Sequence, residues 1–182
     1  MQKIIFLDRD GVLNQESRVF IKSPDEWIPI PGSMEAIAML TDAGWRIGVA
    51  TNQSGIARQL LSLNDLKMIH QKMLETVELF GGKIDKICYC PHLPTSKCQC
   101  RKPQPGMINE LLRFFSLNDT KNIRFVGDSL CDIELAINTG CLPTLVRSGD
   151  GLDTLAKLSR AQVEKVEVYD DLRSLVTQLL LQ

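Results

Sequence analysis

The sequence predicts an α/β fold in which helices cover both faces of a parallel sheet. Short apolar segments alternate with longer segments of helical periodicity, which is typical of repeated strand–helix–strand units. The first apolar segment, Ile4–Leu7, contains no polar residue, as expected of a strand buried on both faces. No internal repeat or linker interrupts the pattern, so we expect one domain spanning residues 1–182.

Six strands are predicted, each a short and mainly apolar run that ends at a polar residue or at a turn. They cover residues 4–7, 45–50, 84–89, 122–126, 142–146 and 166–168. Helices are predicted where apolar residues recur at intervals of three and four. They cover residues 33–42, 64–80, 105–115, 130–139, 152–158 and 171–181, with a short helical turn at 56–61.

The helix ends are predicted from capping residues. Ser33 is expected to cap the first helix, and Gly44 is expected to stop it. Asn64 or Asp65 is expected to cap the second helix. Its apolar face is predicted to contain Leu66, Ile69, Met73, Leu74, Val77 and Phe80. His70 lies in the middle of this helix without a nearby ligand, and we interpret it as a hydrogen-bonded surface or core histidine.

The composition indicates a soluble globular protein. Hydrophobic residues make up 44% and charged residues 24% of the chain, and the net charge is −1. This balance, with 5% aromatic residues, argues against nucleic-acid binding. No apolar run approaches the ~20 residues that cross a bilayer, and no signal peptide is recognisable, so we expect a cytoplasmic protein without membrane partners. In that compartment the six cysteines are not expected to form disulfides. A monomer is expected because no helix presents an unusually broad apolar surface.

Two carboxylates follow the first strand. Asp8 and Asp10 are separated by one residue, so an extended backbone directs both side chains to the same side. Gly11 then allows the chain to turn away. Two like charges held this close require a cation, a proton or both. Residues 12–30 form a long proline-containing loop that is expected to border this site.

Polar residues also follow other predicted strands. Thr51 ends the second strand and Asp128 follows the fourth, while Lys102 lies in a loop that enters a helix. A phosphoryl group in transfer needs a nucleophile, a cation and hydrogen-bond donors for its oxygens, and these residues could supply them. Carboxylates also suit Mg²⁺, which prefers oxygen ligands. Caps and turns could explain each residue singly, but not their order and placement together.

A cluster of soft metal ligands precedes Lys102. Cys90, His92, Cys98 and Cys100 offer four ligands within the loop 90–100, and a structural Zn²⁺ site needs four such ligands. Their spacing is not that of a standard zinc finger. The alternative of free buried cysteines suits Cys88, Cys131 and Cys141, because each lies within or beside a regular element. We therefore predict a zinc-binding loop that fixes the approach of Arg101 and Lys102 to the site.

The motifs resemble those of the haloacid-dehalogenase (HAD) superfamily. The matching residues, in motif order, are Asp8-Arg9-Asp10-Gly11, Thr51, Lys102, and Gly127-Asp128 with Asp132. The resemblance implies a Rossmann-like, HAD-like phosphatase in which Asp8 is the nucleophile and forms an aspartyl-phosphate. It implies that Asp10 protonates the leaving oxygen and then activates water. It also implies that Asp8, the backbone carbonyl of Asp10 and Asp128 bind Mg²⁺, and that Asp132 orients the site. Only 40 residues separate Asp10 from Thr51 and only 50 separate Thr51 from Lys102, so we expect no separate cap domain.

Within the superfamily, the zinc loop and residues 51–58 resemble the branch that acts on heptose bisphosphates in bacterial lipopolysaccharide-core synthesis. This resemblance implies a sugar-phosphate substrate that loses its 7-phosphate. Histidinol-phosphate phosphatases share the zinc loop and are the alternative, and an inactive zinc-stabilised binding module is a third. The resemblance implies substrate contacts from Glu16, Ser17, Arg18, Val19, Thr51, Asn52, Gln53, Ser54, Arg101 and Lys102. Arg18 departs from the expected pattern, and it could either bind a second phosphate bidentately or remain solvated.

Overall fold

The computed structural model describes residues 2–181 and contains a six-stranded parallel sheet. The strands are β1 (Ile4–Leu7), β2 (Arg46–Asn52), β3 (Lys86–Cys90), β4 (Arg124–Gly127), β5 (Leu142–Val146) and β6 (Glu167–Tyr169). They lie in the order β3-β2-β1-β4-β5-β6, and every neighbouring pair is parallel. The predicted α/β fold is confirmed.

Seven α-helices connect or flank the strands within the described residues. They are α1 (Ser33–Asp42), α2 (Leu63–Leu79), α3 (Gly106–Phe115), α4 (Leu130–Thr139), α5 (Gly151–Lys157), α6 (Arg160–Val163) and α7 (Leu172–Leu180). Short 3-10 turns occur at Pro24–Glu26 and Pro94–Ser96. The short helix α6 is not predicted by the sequence pattern, and residues 54–59 form hydrogen-bonded turns rather than a helix.

The two faces of β1 pack into different hydrophobic clusters. Ile5 and Leu7 belong to a core shared with α1, α2 and α7, whereas Ile4 and Phe6 belong to a core shared with α3 and α4. Successive side chains of a strand point to opposite faces, so this alternation places helices on both sides of the sheet. It explains why the strand contains apolar residues only.

Several predicted helix ends differ from the structure. Gly32 rather than Ser33 is the N-cap of α1, because the Ser33 hydroxyl donates instead to the Val12 carbonyl at 2.7 Å. Ser62 caps α2, and Asp65 is its capping-box partner. Phe80 was expected on the apolar face of α2 but is 49% exposed. The residues at these helix ends are determined by tertiary contacts, which helix-capping preferences do not take into account.

The topology brings the ends of β1, β2 and β4 together. The order of strands reverses between β1 and β4, and open α/β sheets bind ligands beyond the carboxyl ends at such a point. Between Asp10 and Thr51 the described chain forms a loop, one 3-10 turn, α1 and β2, with no separate cap fold. No helix among residues 2–181 has the length and apolar character needed to cross a membrane.

Candidate active site

A pocket of about 240 Å³ opens at the carboxyl ends of the central strands. It gathers most of the predicted site residues, which come from five separate segments of the chain. Those that line it are Asp8, Asp10, Glu16, Ser17, Thr51, Asn52, Gln53, Ser54, Arg101, Lys102 and Asp128. Arg18 and Val19 are exposed and do not line this pocket. Asp132 is fully buried beside it.

Lys102 forms the buried centre of the site. Its ammonium lies 2.7 Å from Asp8 Oδ1 and 2.7 Å from Asp132 Oδ1, and its side chain is 1% exposed. Burial alone would lower the pKa of Lys102, but these two carboxylates raise it above its ordinary value and keep the group charged. The side chain of Asn52 fixes the Lys102 loop, because its Oδ1 accepts from the Lys102 amide at 3.0 Å.

Three carboxylates next to this lysine can hold a metal ion. Oxygen atoms of Asp8, Asp128 and Asp132 all lie within 4.8 Å of one another. Burial, together with the charges of Asp132 and Asp8, raises the pKa of Asp128 to about 9. Burial also raises the pKa of Asp8, even though Lys102 lowers it. One lysine charge faces three buried carboxylates, so a cation bound here would lower the pKa values of Asp8 and Asp128 and favour their ionised forms. Hard oxygen donors of this kind suit Mg²⁺.

Asp10 lies in a separate network of hydrogen bonds. The Arg9 guanidinium donates to it through Nε at 3.1 Å and through Nη2 at 2.8 and 3.0 Å. Asn14 Nδ2 and Gln53 Nε2 each donate at 2.9 Å, and Gln53 also donates to Thr51 Oγ1. Burial would raise the pKa of Asp10, but Arg9 and these donors outweigh it and lower the pKa below 3.8. Asp10 is therefore held as a carboxylate in one orientation.

The four predicted soft ligands form a compact cluster at the end of β3. The distances that join Cys90 Sγ to Cys98 Sγ, Cys100 Sγ and His92 Nδ1 are 3.6, 3.0 and 3.6 Å. Cys100 Sγ lies 3.2 Å from His92 Nδ1 and 3.6 Å from Cys98 Sγ. A tetrahedral Zn²⁺ with sulfur ligands at about 2.3 Å separates those sulfurs by about 3.8 Å, so the residues fit a closed tetrahedral site.

The comparisons with known proteins agree with this geometry. A family model described as polynucleotide kinase 3 phosphatase matches residues 3–141. A D-glycero-beta-D-manno-heptose-1,7-bisphosphate 7-phosphatase from Bordetella bronchiseptica is 48% identical over 178 residues, which is 98% of each chain. The chain belongs to the polynucleotide kinase 3 phosphatase family and to the family of the heptose 1,7-bisphosphate 7-phosphatases.

Solved structures of related phosphatases support the same family assignment. The crystal structure of D,D-heptose 1,7-bisphosphate phosphatase from B. bronchiseptica, complexed with magnesium and phosphate, has a TM-score of 0.93 and 47% identity, and 99% of each chain is covered. A structure described as a HAD-like phosphatase, from Mesorhizobium loti, has a TM-score of 0.72 and 29% identity, with 80% of this chain and 72% of that chain covered. The fold of this family member is therefore HAD-like.

Sequence reasoning missed the loop that follows β5, which supports Asp128 in this family member. The Asp150 amide donates to Asp128 Oδ2 at 2.8 Å, and the Ser148 hydroxyl donates to the Gly11 carbonyl at 2.7 Å. A Cβ at Gly149 would overlap the Asp128 carboxylate. Its position in the sequence could have identified this loop, because it directly follows the carboxyl end of β5 just as the other site segments follow their strands.

One further residue of this phosphatase, Cys131, differs from expectation. Cys131 was interpreted as a buried cysteine within a helix, but it lines the pocket and its sulfur lies 3.1 Å from Ser129 Oγ.

Glu16 sits at the pocket mouth, where partial burial of its carboxyl and the charge of Asp10 raise its pKa to about 7. Glu16 therefore binds a proton more readily than an ordinary glutamate does.

Proposed function

We propose that this chain is a Mg²⁺-dependent phosphatase that removes the 7-phosphate of D-glycero-β-D-manno-heptose 1,7-bisphosphate. The observation that carries the proposal is the buried Asp8 carboxylate, which is paired with Lys102 and clustered with Asp128 in the pocket. The name of the B. bronchiseptica relative supports the substrate and its β configuration. The neutral charge balance supports a small sugar phosphate rather than nucleic acid as the partner.

Asp8 acts as the nucleophile. Its oxygen attacks phosphorus, the bond from phosphorus to the C7 oxygen breaks, and Asp10 gives the leaving oxygen a proton. Water then attacks the phosphorus of the aspartyl-phosphate, and Asp10 takes the proton of that water. The bond from phosphorus to the Asp8 oxygen breaks, which releases inorganic phosphate and regenerates the Asp8 carboxylate. The ionised Asp10 is ready for the second step. Before the first step it must gain a proton, and the negative phosphoryl oxygens of a bound substrate raise its proton affinity.

The other pocket residues bind and orient the transferring group. Lys102 places a permanent positive charge beside Asp8, where negative charge accumulates on the phosphoryl oxygens. Thr51 and Ser54 contribute hydroxyl groups, and Arg101 contributes a guanidinium at the pocket wall. Asp8, Asp128 and the backbone carbonyl of Asp10 hold Mg²⁺, which when bound supplies further positive charge at the phosphoryl group. Asp132 orients Lys102 rather than binding this ion.

The loop 90–100 holds a structural Zn²⁺ through Cys90, His92, Cys98 and Cys100. Four protein ligands leave no open coordination position, so this ion takes no part in the reaction. Its role is mechanical, because Arg101 and Lys102 follow Cys100 directly and the Arg101 guanidinium donates to the His92 carbonyl at 3.3 Å. Loss of zinc therefore loosens the segment that carries the essential lysine.

The same proposal covers the cellular setting. We propose a cytoplasmic monomer with a single domain over residues 1–182, acting in heptose synthesis for lipopolysaccharide. The continuous sheet with a core on each face supports the single domain. None of the six cysteines forms a disulfide within the described residues, which supports a reducing compartment.

Phosphate release from a substrate panel tests the function. The panel contains the α and β anomers of the heptose 1,7-bisphosphate, the heptose 1-phosphate and histidinol phosphate, each with and without Mg²⁺. We expect the highest kcat/KM for the β bisphosphate, dependence on Mg²⁺, and retention of the 1-phosphate in the product. Preference for histidinol phosphate, or turnover that Asp8→Asn does not abolish, would contradict the proposal.

A further inference from the structure

A buried histidine contacts the arginine that holds Asp10. Arg9 is 1% exposed, and its Nε and Nη2 face the Asp10 carboxylate. Its remaining terminal nitrogen, Nη1, lies 3.3 Å from His70 Nε2. His70 comes from α2, 61 residues further along the chain, and the proposed reaction does not use it. The three side chains form a buried series, from His70 through Arg9 to Asp10.

The chemistry of Arg9 fixes the role of the histidine. A guanidinium in a protein is always charged and can only donate hydrogen bonds. His70 Nε2 must therefore accept, so the ring is neutral and its proton is on Nδ1. Burial and the positive charge of Arg9 lower the pKa of His70 to about 3, which agrees with a neutral ring.

Residues of α2 and β3 hold the ring in place. Ile69 and Met73, on the same helix, are fully buried in the hydrophobic core. The Tyr89 ring packs edge-on against His70, with the centroids 6.1 Å apart. His70 is thus an acceptor at a fixed position, whereas Arg9 has a flexible side chain that needs such a contact to stay in one conformation.

We propose that His70 is a positioning residue for Asp10, which it orients by accepting a hydrogen bond from Arg9 Nη1. This contact turns the Nε–Nη2 edge of the guanidinium toward the carboxylate. The inference rests on the proposed role of Asp10 in proton transfer. Without the acceptor, Nη1 loses a buried partner and the guanidinium shifts to find another. Asp10 then shifts with it, and small displacements of a catalytic group reduce the rate strongly.

The conservative pair His70→Gln and His70→Asn tests the contact. The Gln amide oxygen can reach roughly where Nε2 lies, whereas the Asn side chain is too short to reach Arg9. Both side chains are neutral and polar, so they differ mainly in whether they reach Nη1. We expect His70→Gln to retain most of the activity and His70→Asn to lose about 10-fold or more, as is typical when the supporting partner of a site residue is removed.

The decisive readout compares two leaving groups. The alkoxide of the heptose bisphosphate needs a proton from Asp10, whereas nitrophenolate leaves without one. Because kcat/KM reports only steps up to formation of the aspartyl-phosphate, a misplaced acid lowers it for the heptose substrate and spares 4-nitrophenyl phosphate. We expect His70→Asn to show this selective loss. An equal loss with both substrates, no loss with either, or equal impairment of His70→Gln would overturn the proposal.

Two controls separate this inference from its alternatives. Met73→Ala removes a buried side chain from the same helix and lowers stability without touching Arg9, so we expect it to leave the ratio of the two kcat/KM values unchanged. Asp10→Asn in the otherwise wild-type protein should show the leaving-group dependence. If it does not, the proposed role of Asp10 fails. If it does and His70→Asn does not, only the role of His70 fails.

The wild-type protein provides a test that needs no variant to fold. The chain contains two histidines, so the ring nitrogens of His70 can be resolved by long-range ¹H–¹⁵N NMR. We expect a neutral ring with its proton on Nδ1. A proton on Nε2 would overturn the proposal, because that nitrogen could not accept from Arg9.

Discussion

Gly11→Ala should damage the metal site far more than it damages the fold. Gly11 has φ of +76°, and a Cβ at this position would overlap Asp128 Oδ2 well inside van der Waals contact. The left-handed conformation costs a non-glycine residue roughly 1–2 kcal/mol. The overlap is relieved only when the Asp128 carboxylate moves, which breaks its hydrogen bond from the Asp150 amide and removes a ligand from the proposed Mg²⁺ site.

Gly44→Ala is the matched control for this experiment. Gly44 has φ of +77°, and no atom lies within 4 Å of a Cβ built there. The two variants therefore share the backbone strain and differ in the contact with Asp128. We expect Gly44→Ala to lose about 1–2 kcal/mol of unfolding free energy in denaturant titrations without Mg²⁺, and Gly11→Ala to lose this amount plus the cost of displacing Asp128.

Calorimetric titration with Mg²⁺ and steady-state kinetics then separate the variants. We expect Gly44→Ala to bind Mg²⁺ and turn over substrate like the wild type. Gly11→Ala should lose about 10–100-fold in Mg²⁺ affinity, the usual cost of displacing the support of a metal ligand, and its activity should fall accordingly. Wild-type Mg²⁺ affinity in Gly11→Ala would refute the reasoning that Gly11 makes room for Asp128.

Three other predictions follow from the charges and ligands of the site. Lys102→Met leaves the buried carboxylates of Asp8 and Asp132 without their cation. We therefore expect it to abolish activity and to lower the unfolding free energy by about 3–5 kcal/mol. A loss of unfolding free energy below about 1 kcal/mol, which is typical of a surface ion pair, would contradict this prediction. Cys98→Ser should lose the zinc detected by elemental analysis while Cys88→Ser, outside the loop, retains it; equal zinc in both would exclude Cys98 as a ligand. Because the folded-state pKa values of Asp8 and Asp128 are raised from 3.8 to about 8 and about 9, the metal-free protein should lose stability as the pH rises from about 4 through 9. Mg²⁺ replaces those protons, so the increase in Tm that Mg²⁺ produces should become larger between pH 6 and pH 9. An increase in Tm that does not depend on pH would count against the carboxylate cluster as the Mg²⁺ site.

The parts of the site that the sequence predicts are those carried by local pattern. Asp8 and Asp10 follow an apolar strand at the period-two spacing, and Thr51 and Asp128 follow other strands, so their convergence could be predicted from the parallel sheet alone. The predicted zinc ligands lie close together along the chain, and short loops keep such residues close in space. Their clustering in the structure agrees with that prediction.

The parts that the sequence could not predict depend on distant contacts. The pairing of Arg9 with His70 joins residues 61 positions apart, and no motif links a mid-helix histidine to the first strand. The loop of Gly149 and Asp150 supports Asp128 only because β5 lies next to β4. Ser33 shows that a distant contact can also decide a helix end, because its hydroxyl donates to the Val12 carbonyl and does not cap the helix.

The central claim is that Asp8 attacks phosphorus and becomes phosphorylated. Beryllium trifluoride, which mimics a phosphoryl group, tests it most directly when it is bound to the protein with Mg²⁺ and the crystal structure of the complex is determined. We predict beryllium bonded to a carboxylate oxygen of Asp8, with a fluorine within hydrogen-bonding distance of Lys102. Beryllium bonded to any other residue would contradict the account.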